Sequence, residues 1–277
     1  MASGHHHDPV SAVSEAEATG RTAEIFAEIR EIMQIPIVTS IWRTLDAIEG
    51  GLEAAWEATR PIYQSGQPDA LLRRFGNEVV LPIPEPHSGH RLGSLGINNA
   101  DWKSISSIIE AYNRSNGLNL IALTALVRGG KSRQLQATAK PTVPWHVLPP
   151  LLSKDEIDPD NWALLQRMKH LGNIHPTDAL PTLWRHLIHW PGLLELTLDV
   201  YGPLHRDGTL FQWVEYTTAF VESQAPAMSR FRNSFIEIPE EAIDMIDAYV
   251  GKPPSVSRMF TLGSSVAKWL KSNGWTH

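Results

Sequence analysis

A stretch of this chain occurs twice. The run 39–53 matches 181–195 at a constant offset of 142 residues, as from Trp42 to Trp184. Along it Arg43 pairs with Arg185, Leu45 with Leu187, Gly50 with Gly192, Leu52 with Leu194 and Glu53 with Glu195, and further on Pro61 pairs with Pro203. The segments before these runs match at an offset of 139, with Ile25, Phe26, Ile29 and Ile32 against Leu164, Leu165, Met168 and Leu171. The three-residue difference between the offsets places an insertion in the loop 172–180. Downstream, Ile109–Tyr112 resembles Ile246–Tyr249 at an offset of 137. Two copies are too few for a short-period solenoid. They predict two related units packed as a pseudo-two-fold pair within one chain.

The periodicity of the units is helical. In 22–33 the apolar residues Ile25, Phe26, Ile29, Ile32 and Met33 form one helix face, Glu24, Glu28 and Glu31 the other, and Pro36 ends the run. A second helix is expected over about 39–59, kinked at Gly50 and Gly51, and a third over 69–80. Asn98 or Asn99 should cap a helix over 102–113. Ser115–Asn116–Gly117 is expected to break it before a buried helix over 118–127. There is no βαβ alternation, dinucleotide fingerprint or P-loop, and only 79–81 and 235–238 look strand-like. The predicted class is all-α, two homologous helical repeats packed as an intramolecular pseudo-dimer. Its expected parts are a disordered tail over 1–19, repeat 1 over 20–128, a basic, proline-rich and solvated crossover over 129–159, and repeat 2 over 160–277.

Composition narrows the chemistry. A net charge of −6 argues against nucleic acid as the main partner, which needs a concentrated basic surface. The absence of cysteine removes disulfides, thiolate nucleophiles, iron–sulfur clusters and the thiol peroxidase branch of related helical folds. No run is apolar enough for a membrane span and no signal peptide is evident, so a cytoplasmic protein is expected. Whether it associates with a second copy stays open.

The junction of two packed halves is the natural place for a ligand. The polar segments that reach it are 36–40, its counterpart 175–183, and 113–119 between two apolar runs. Helix N-termini there suit a carboxylate or halide. His186 and His189 stand three apart on a predicted helix, near His170, His175 and His205. A metal normally needs three convergent ligands, and the other copy has Thr44 and Ala47 at the two positions, so surface or satisfied core histidines are the simpler reading. Arg43 and Arg185 suit a carboxylate bidentately, but their repetition favours packing and a pair with Glu53, Glu195 or another acid.

At these segments the chain resembles the group I 2-haloacid dehalogenases, the DehI family. The resemblance rests on Glu28–Arg30 with Pro36, Ala54–Trp56, Ala111–Leu126, Leu164–Arg167 and Trp190–Pro191. It runs diffusely from about Gly20 to the C-terminus, without a short signature. It implies a hydrolase without cofactor or metal that acts on a small carboxylate substrate. An aspartate deprotonates a water, which attacks the α-carbon directly and expels halide with inversion, while an asparagine holds the water. Asn116 falls at the water-holding asparagine, and Asn119 lies three residues on. Ile37 and Ser40 fall where the family has aromatic pocket walls. Thr39, Ser40 and Thr182 would contact the carboxylate, beside Leu183 and Trp184. At the aspartate position stands Leu183, which cannot take a proton. The acid close by is Asp178, inside the three-residue insertion, either as the base or as a helix N-cap. Three readings follow: a dehalogenase with Asp178 as base and Asn116 as water holder, a family member that lost the reaction and binds small molecules or does other chemistry, and a His-liganded metal or haem protein.

Overall fold

The computed structural model describes residues 13–81, 83–84, 89–130, 135–173, 180–251 and 256–275. Its helices are α1 (Gly20–Met33), α2 (Ser40–Leu45), α3 (Gly51–Gln64), α4 (Gln67–Glu78), α5 (Gly89–Gly93) and α6 (Asn99–Arg128). They continue as α7 (Pro159–Met168), α8 (Thr182–His186), α9 (Pro191–Arg206), α10 (Thr209–Gln224), α11 (Glu240–Gly251) and α12 (Val256–Ser272). No strand occurs among the described residues, so the fold is all-α. None of these helices is long and apolar enough to cross a membrane.

α1 buries the face its periodicity predicts, Ile25, Phe26, Ile29 and Met33. Gln34 closes it in the left-handed region at φ 52° and Pro36 stops it from resuming. Asn98 caps α6, its side chain accepting from the backbone N–H groups of Ala100 and Asp101.

Two expectations are corrected. The single helix over 39–59 is two helices, α2 and α3, because Gly50 takes φ 68°, outside helical space. The break at Ser115–Asn116–Gly117 does not occur, and α6 runs through it for 30 residues. Gly117 is there for packing: a Cβ would lie 2.6 Å from Leu72 Cδ1 and 2.8 Å from Phe260 Cε2. The missing side chain lets α4 and α12 close on α6.

Apolar residues collect in two cores, and neither is drawn from one half of the sequence. The first joins α1–α4 and the later part of α6 (Leu118, Ile121, Leu123) to Ala242, Ile246 and Val250 of α11. The second joins the earlier part of α6 (Trp102, Ile105, Ile109) to α7–α9 and to Leu262, Val266 and Trp269 of α12. α6 and α12 thus thread both cores and tie them into one body.

Residues 13–19 are ordered, contrary to the expected tail. Glu15 Oε2 accepts from Arg30 Nη1 at 2.5 Å and its Oε1 from the Val38 N–H at 2.7 Å. From residue 135 the crossover keeps the solvent exposure expected of it and is also hydrogen-bonded to the body. Thr138 N–H donates to Ser65 O at 2.7 Å, Lys140 Nζ to Ile32 O, and Trp145 Nε1 to Gln34 O at 3.1 Å. These cations and donors meet carbonyls that the ends of α1 and α3 leave unpaired.

Candidate functional site

A cavity of about 960 Å³ lies between the two cores. Its floor includes Tyr112 of α6. Its sides are residues 36–40 with Arg43 of α2, and Thr182, Arg185 and His186 of α8. Residues 146–149 and 151, with the turn 153–155, lie across it, and Ser14–Ala16 close one edge. Ser40 and Thr182, and Arg43 and Arg185, which pair at the 142-residue offset, all line this one space.

The charge inside is mainly positive. Arg43 and Arg185 both act on the Tyr112 hydroxyl and favour its ionised form, yet burial dominates and holds that phenol above its ordinary range. Lys154 stands at the rim, as does Asp155. Glu15 also faces the cavity, but Arg30 and the Val38 N–H occupy its two oxygens. Glu53, offered by the sequence as a partner of Arg43, is engaged elsewhere. It accepts from Arg21 Nε at 2.8 Å, on the outer surface.

His186 is 3% exposed and both its ring nitrogens are engaged. Nε2 lies 2.7 Å from the Pro149 carbonyl and Nδ1 lies 3.4 Å from the Tyr112 hydroxyl. A carbonyl only accepts, so Nε2 carries the proton and, in the neutral ring, Nδ1 presents its lone pair. Burial first, and then the charges of His189 and Arg185, hold the imidazole below its ordinary value, against the opposing effect of the Pro149 bond. His189 Nε2 meets the next carbonyl, Pro150 O, at 2.9 Å. The two histidines thus clasp the proline segment over the cavity. Among the described residues no three His, Asp or Glu converge as metal ligands.

The sequence-derived candidates divide as follows. Ile37, Thr39, Ser40 and Thr182 line the cavity. Leu183 and Trp184 lie behind its wall, 1% and 0% exposed. Asn119 is fully buried beneath Thr39: its Nδ2 donates to Thr39 Oγ1 at 2.7 Å, and its Oδ1 accepts from Trp42 Nε1 at 3.1 Å and Tyr63 OH at 2.9 Å. The Tyr249 hydroxyl of α11 lies near Asn119 and Thr39. Asn119 therefore braces the wall and does not itself line the cavity. Asn116 is buried in α6, one turn beyond Tyr112, and does not line the cavity. Asp178 lies outside the described residues. Sequence reasoning passed over Tyr112 and the segment 146–155. It singled out His186 only as a metal ligand or core residue. The matched arginines were the available signal.

No protein-family model matches the chain. A configuration-inverting 2-haloacid dehalogenase of Alcaligenes xylosoxydans xylosoxydans is 25% identical over 207 residues, which is 70% of this chain and 69% of that protein. An (R)-2-haloacid dehalogenase of Pseudomonas putida is 25% identical over 111 residues, 38% of this chain and 37% of that one. Among solved structures, a D-2-haloacid dehalogenase mutant in complex with D-2-CPA aligns with a TM-score of 0.66 at 14% identity, covering 95% of this chain and 94% of that one. A complex of D-2-haloacid dehalogenase with L-LA aligns with a TM-score of 0.65, also at 14% identity, over 96% and 94% of the two chains. At that identity the structural likeness speaks for the fold.

Proposed function

We propose that this chain, a relative of the DehI-type 2-haloacid dehalogenases, is itself a hydrolase that displaces halide from the α-carbon of a 2-haloacid in the cavity between its two repeats. The observation that carries this reading is the convergence of Arg43 and Arg185 on one enclosed space. Two guanidiniums from corresponding positions suit a carboxylate, by bidentate contact with one and long-range attraction to the other. They also raise the local concentration of an anionic substrate and favour the departing halide. Ser40 and Thr182 add hydroxyl donors on either side, and Ile37 offers the apolar contact that an α-substituent needs.

The two helical repeats, 20–128 and 160–277, are read as a pseudo-dimer whose second halves are exchanged. In support, Tyr112 reaches from α6 to α8, while its counterpart Tyr249 reaches from α11 to Thr39 and Asn119. By resemblance alone, Asp178 is one candidate for the base and Asn116 for the water holder. Both are proposals for mutagenesis.

The buried Leu183 favours a second reading, a relative that binds a small carboxylate in this cavity without turning it over. One experiment separates the two. Purified protein is incubated with each enantiomer of 2-chloropropionate, chloride is measured by ion chromatography, and binding of the same acid is measured by calorimetry. Chloride release above the protein-free control supports the hydrolase. Binding without chloride supports the second reading.

A further inference from the structure

We propose that His186 is the general base of this protein, taking at Nδ1 the proton of the attacking water. The assignment rests on the dehalogenase reading above and supplies the acceptor that Leu183 cannot be.

The geometry carries it. A base must face the cavity, keep a lone pair there and stay uncharged at working pH. His186 lines the cavity one turn after Leu183, and the Pro149 carbonyl fixes the proton on Nε2. Nδ1 then faces Tyr112, which also lines the cavity, at 3.4 Å from its hydroxyl. That separation is long for an O–H···N bond, and a water that takes Nδ1 as its acceptor replaces this contact as the phenol moves aside. The Tyr112 phenol keeps its proton, so it can donate to the water oxygen while Nδ1 accepts from the water. Of the cavity-lining carboxylates among the described residues, Glu15 has both oxygens engaged and Asp155 is exposed at the rim.

The titratable and charged groups that line the cavity with the ring are Tyr112 from α6, Arg43 from α2, Arg185 on its own helix, and Lys154 and Asp155 from the later segment, and the His189 ring on the following turn lies 6.5 Å away between centroids. The charged ones are mostly cationic. Burial first, and then His189 and Arg185, hold the imidazole toward the neutral form that a base requires.

In the step, the water oxygen forms a bond to the α-carbon as the carbon–halogen bond breaks and its electron pair leaves on the halide. The water proton passes to Nδ1, and the imidazolium returns it to solvent. One 2-haloacid anion and one water give one 2-hydroxyacid anion, one halide and one proton.

The test is H186Q in the full-length protein. The glutamine amide keeps a donor toward Pro149 O and has no basic nitrogen, so the segment over the cavity stays held. Chloride release should fall about 100-fold or more, with a thermal midpoint close to that of the parent. The parent kcat/KM should have an acid limb below about pH 6.5 that H186Q lacks. Y112F, which removes a donor to the neutral ring, should move that limb to higher pH. A folded H186Q variant within threefold of the parent overturns the assignment, as does a D178N variant that removes the acid limb while H186Q keeps it. Absence of chloride release by the parent instead overturns the dehalogenase reading, and this assignment with it.

Discussion

Replacing Asn119 by alanine should destabilise the protein by about 3 kcal/mol. The side chain is 0% exposed and makes three hydrogen bonds, to Trp42, Tyr63 and Thr39. Alanine removes the acceptor of two donors, the Trp42 indole N–H and the Tyr63 hydroxyl, both on fully buried side chains. A buried donor left without a partner costs about 1–3 kcal/mol, so two give about 2–6, and partial re-pairing of the Tyr63 hydroxyl puts the sum in the lower half. For a chain of this size about 3 kcal/mol lowers the thermal midpoint by roughly 6–12 °C, and in urea it moves the midpoint by about 1 M at a slope of about 3 kcal/mol/M. Urea unfolding followed by tryptophan fluorescence reads both the midpoint and the slope. W42F removes the indole donor, so a double-mutant cycle with N119A isolates that bond and should give a coupling of about 1 kcal/mol. A loss below about 1 kcal/mol for N119A at unchanged slope would refute the bracing role. The buried amide would then be free to serve the ligand instead.

Other outcomes follow from the same packing. Gly117→Ala should lower the thermal midpoint, because the contacts at 2.6 and 2.8 Å cost about 1–3 kcal/mol of overpacking against about 1 kcal/mol of helix propensity gained; a raised midpoint would contradict the packing role. Asp69→Ala removes the partner of Arg114 in a pair at 2.7 Å with side chains 2% and 11% exposed, and urea unfolding should show a loss of about 3–5 kcal/mol. Acidification should cost stability through His186 and His205, both held below the ordinary histidine value chiefly by burial. Between the folded and unfolded values the unfolded chain binds more protons. The contribution is therefore complete above about pH 6.5 and lost as pH falls toward the folded values, and H186Q should flatten the dependence of the urea midpoint between pH 7 and 5.

Much of the architecture was legible where local chemistry decides. The apolar face of α1, its stop at Pro36 and the Asn98 cap need only periodicity and capping. The continuity of α6 was not, because Gly117 looks like a helix breaker until Leu72 and Phe260 are seen against it. The cavity's cover was hidden for a different reason: residues 146–155 carry no periodic signal, and their hold comes from His186 and His189, remote in sequence. Glu15 was set aside with the N-terminal tail although Arg30 and Val38 fix it. The repeat put Arg43 and Arg185 in correspondence, but composition offered Glu53 as a partner, and only the fold shows Glu53 engaged with Arg21.

The central claim is that halide is displaced in the cavity that Arg43 and Arg185 line. Chloride and 2-hydroxyacid formed from 2-chloropropionate should be measured side by side for the parent and for the R43L/R185L variant, with folding checked by circular dichroism. The account predicts equimolar chloride and lactate from the parent and a fall of at least about 100-fold in kcat/KM for the variant, since each charge-assisted contact is worth about 1.5–3 kcal/mol. No chloride from the parent, or an undiminished kcat/KM in a folded variant, would contradict it.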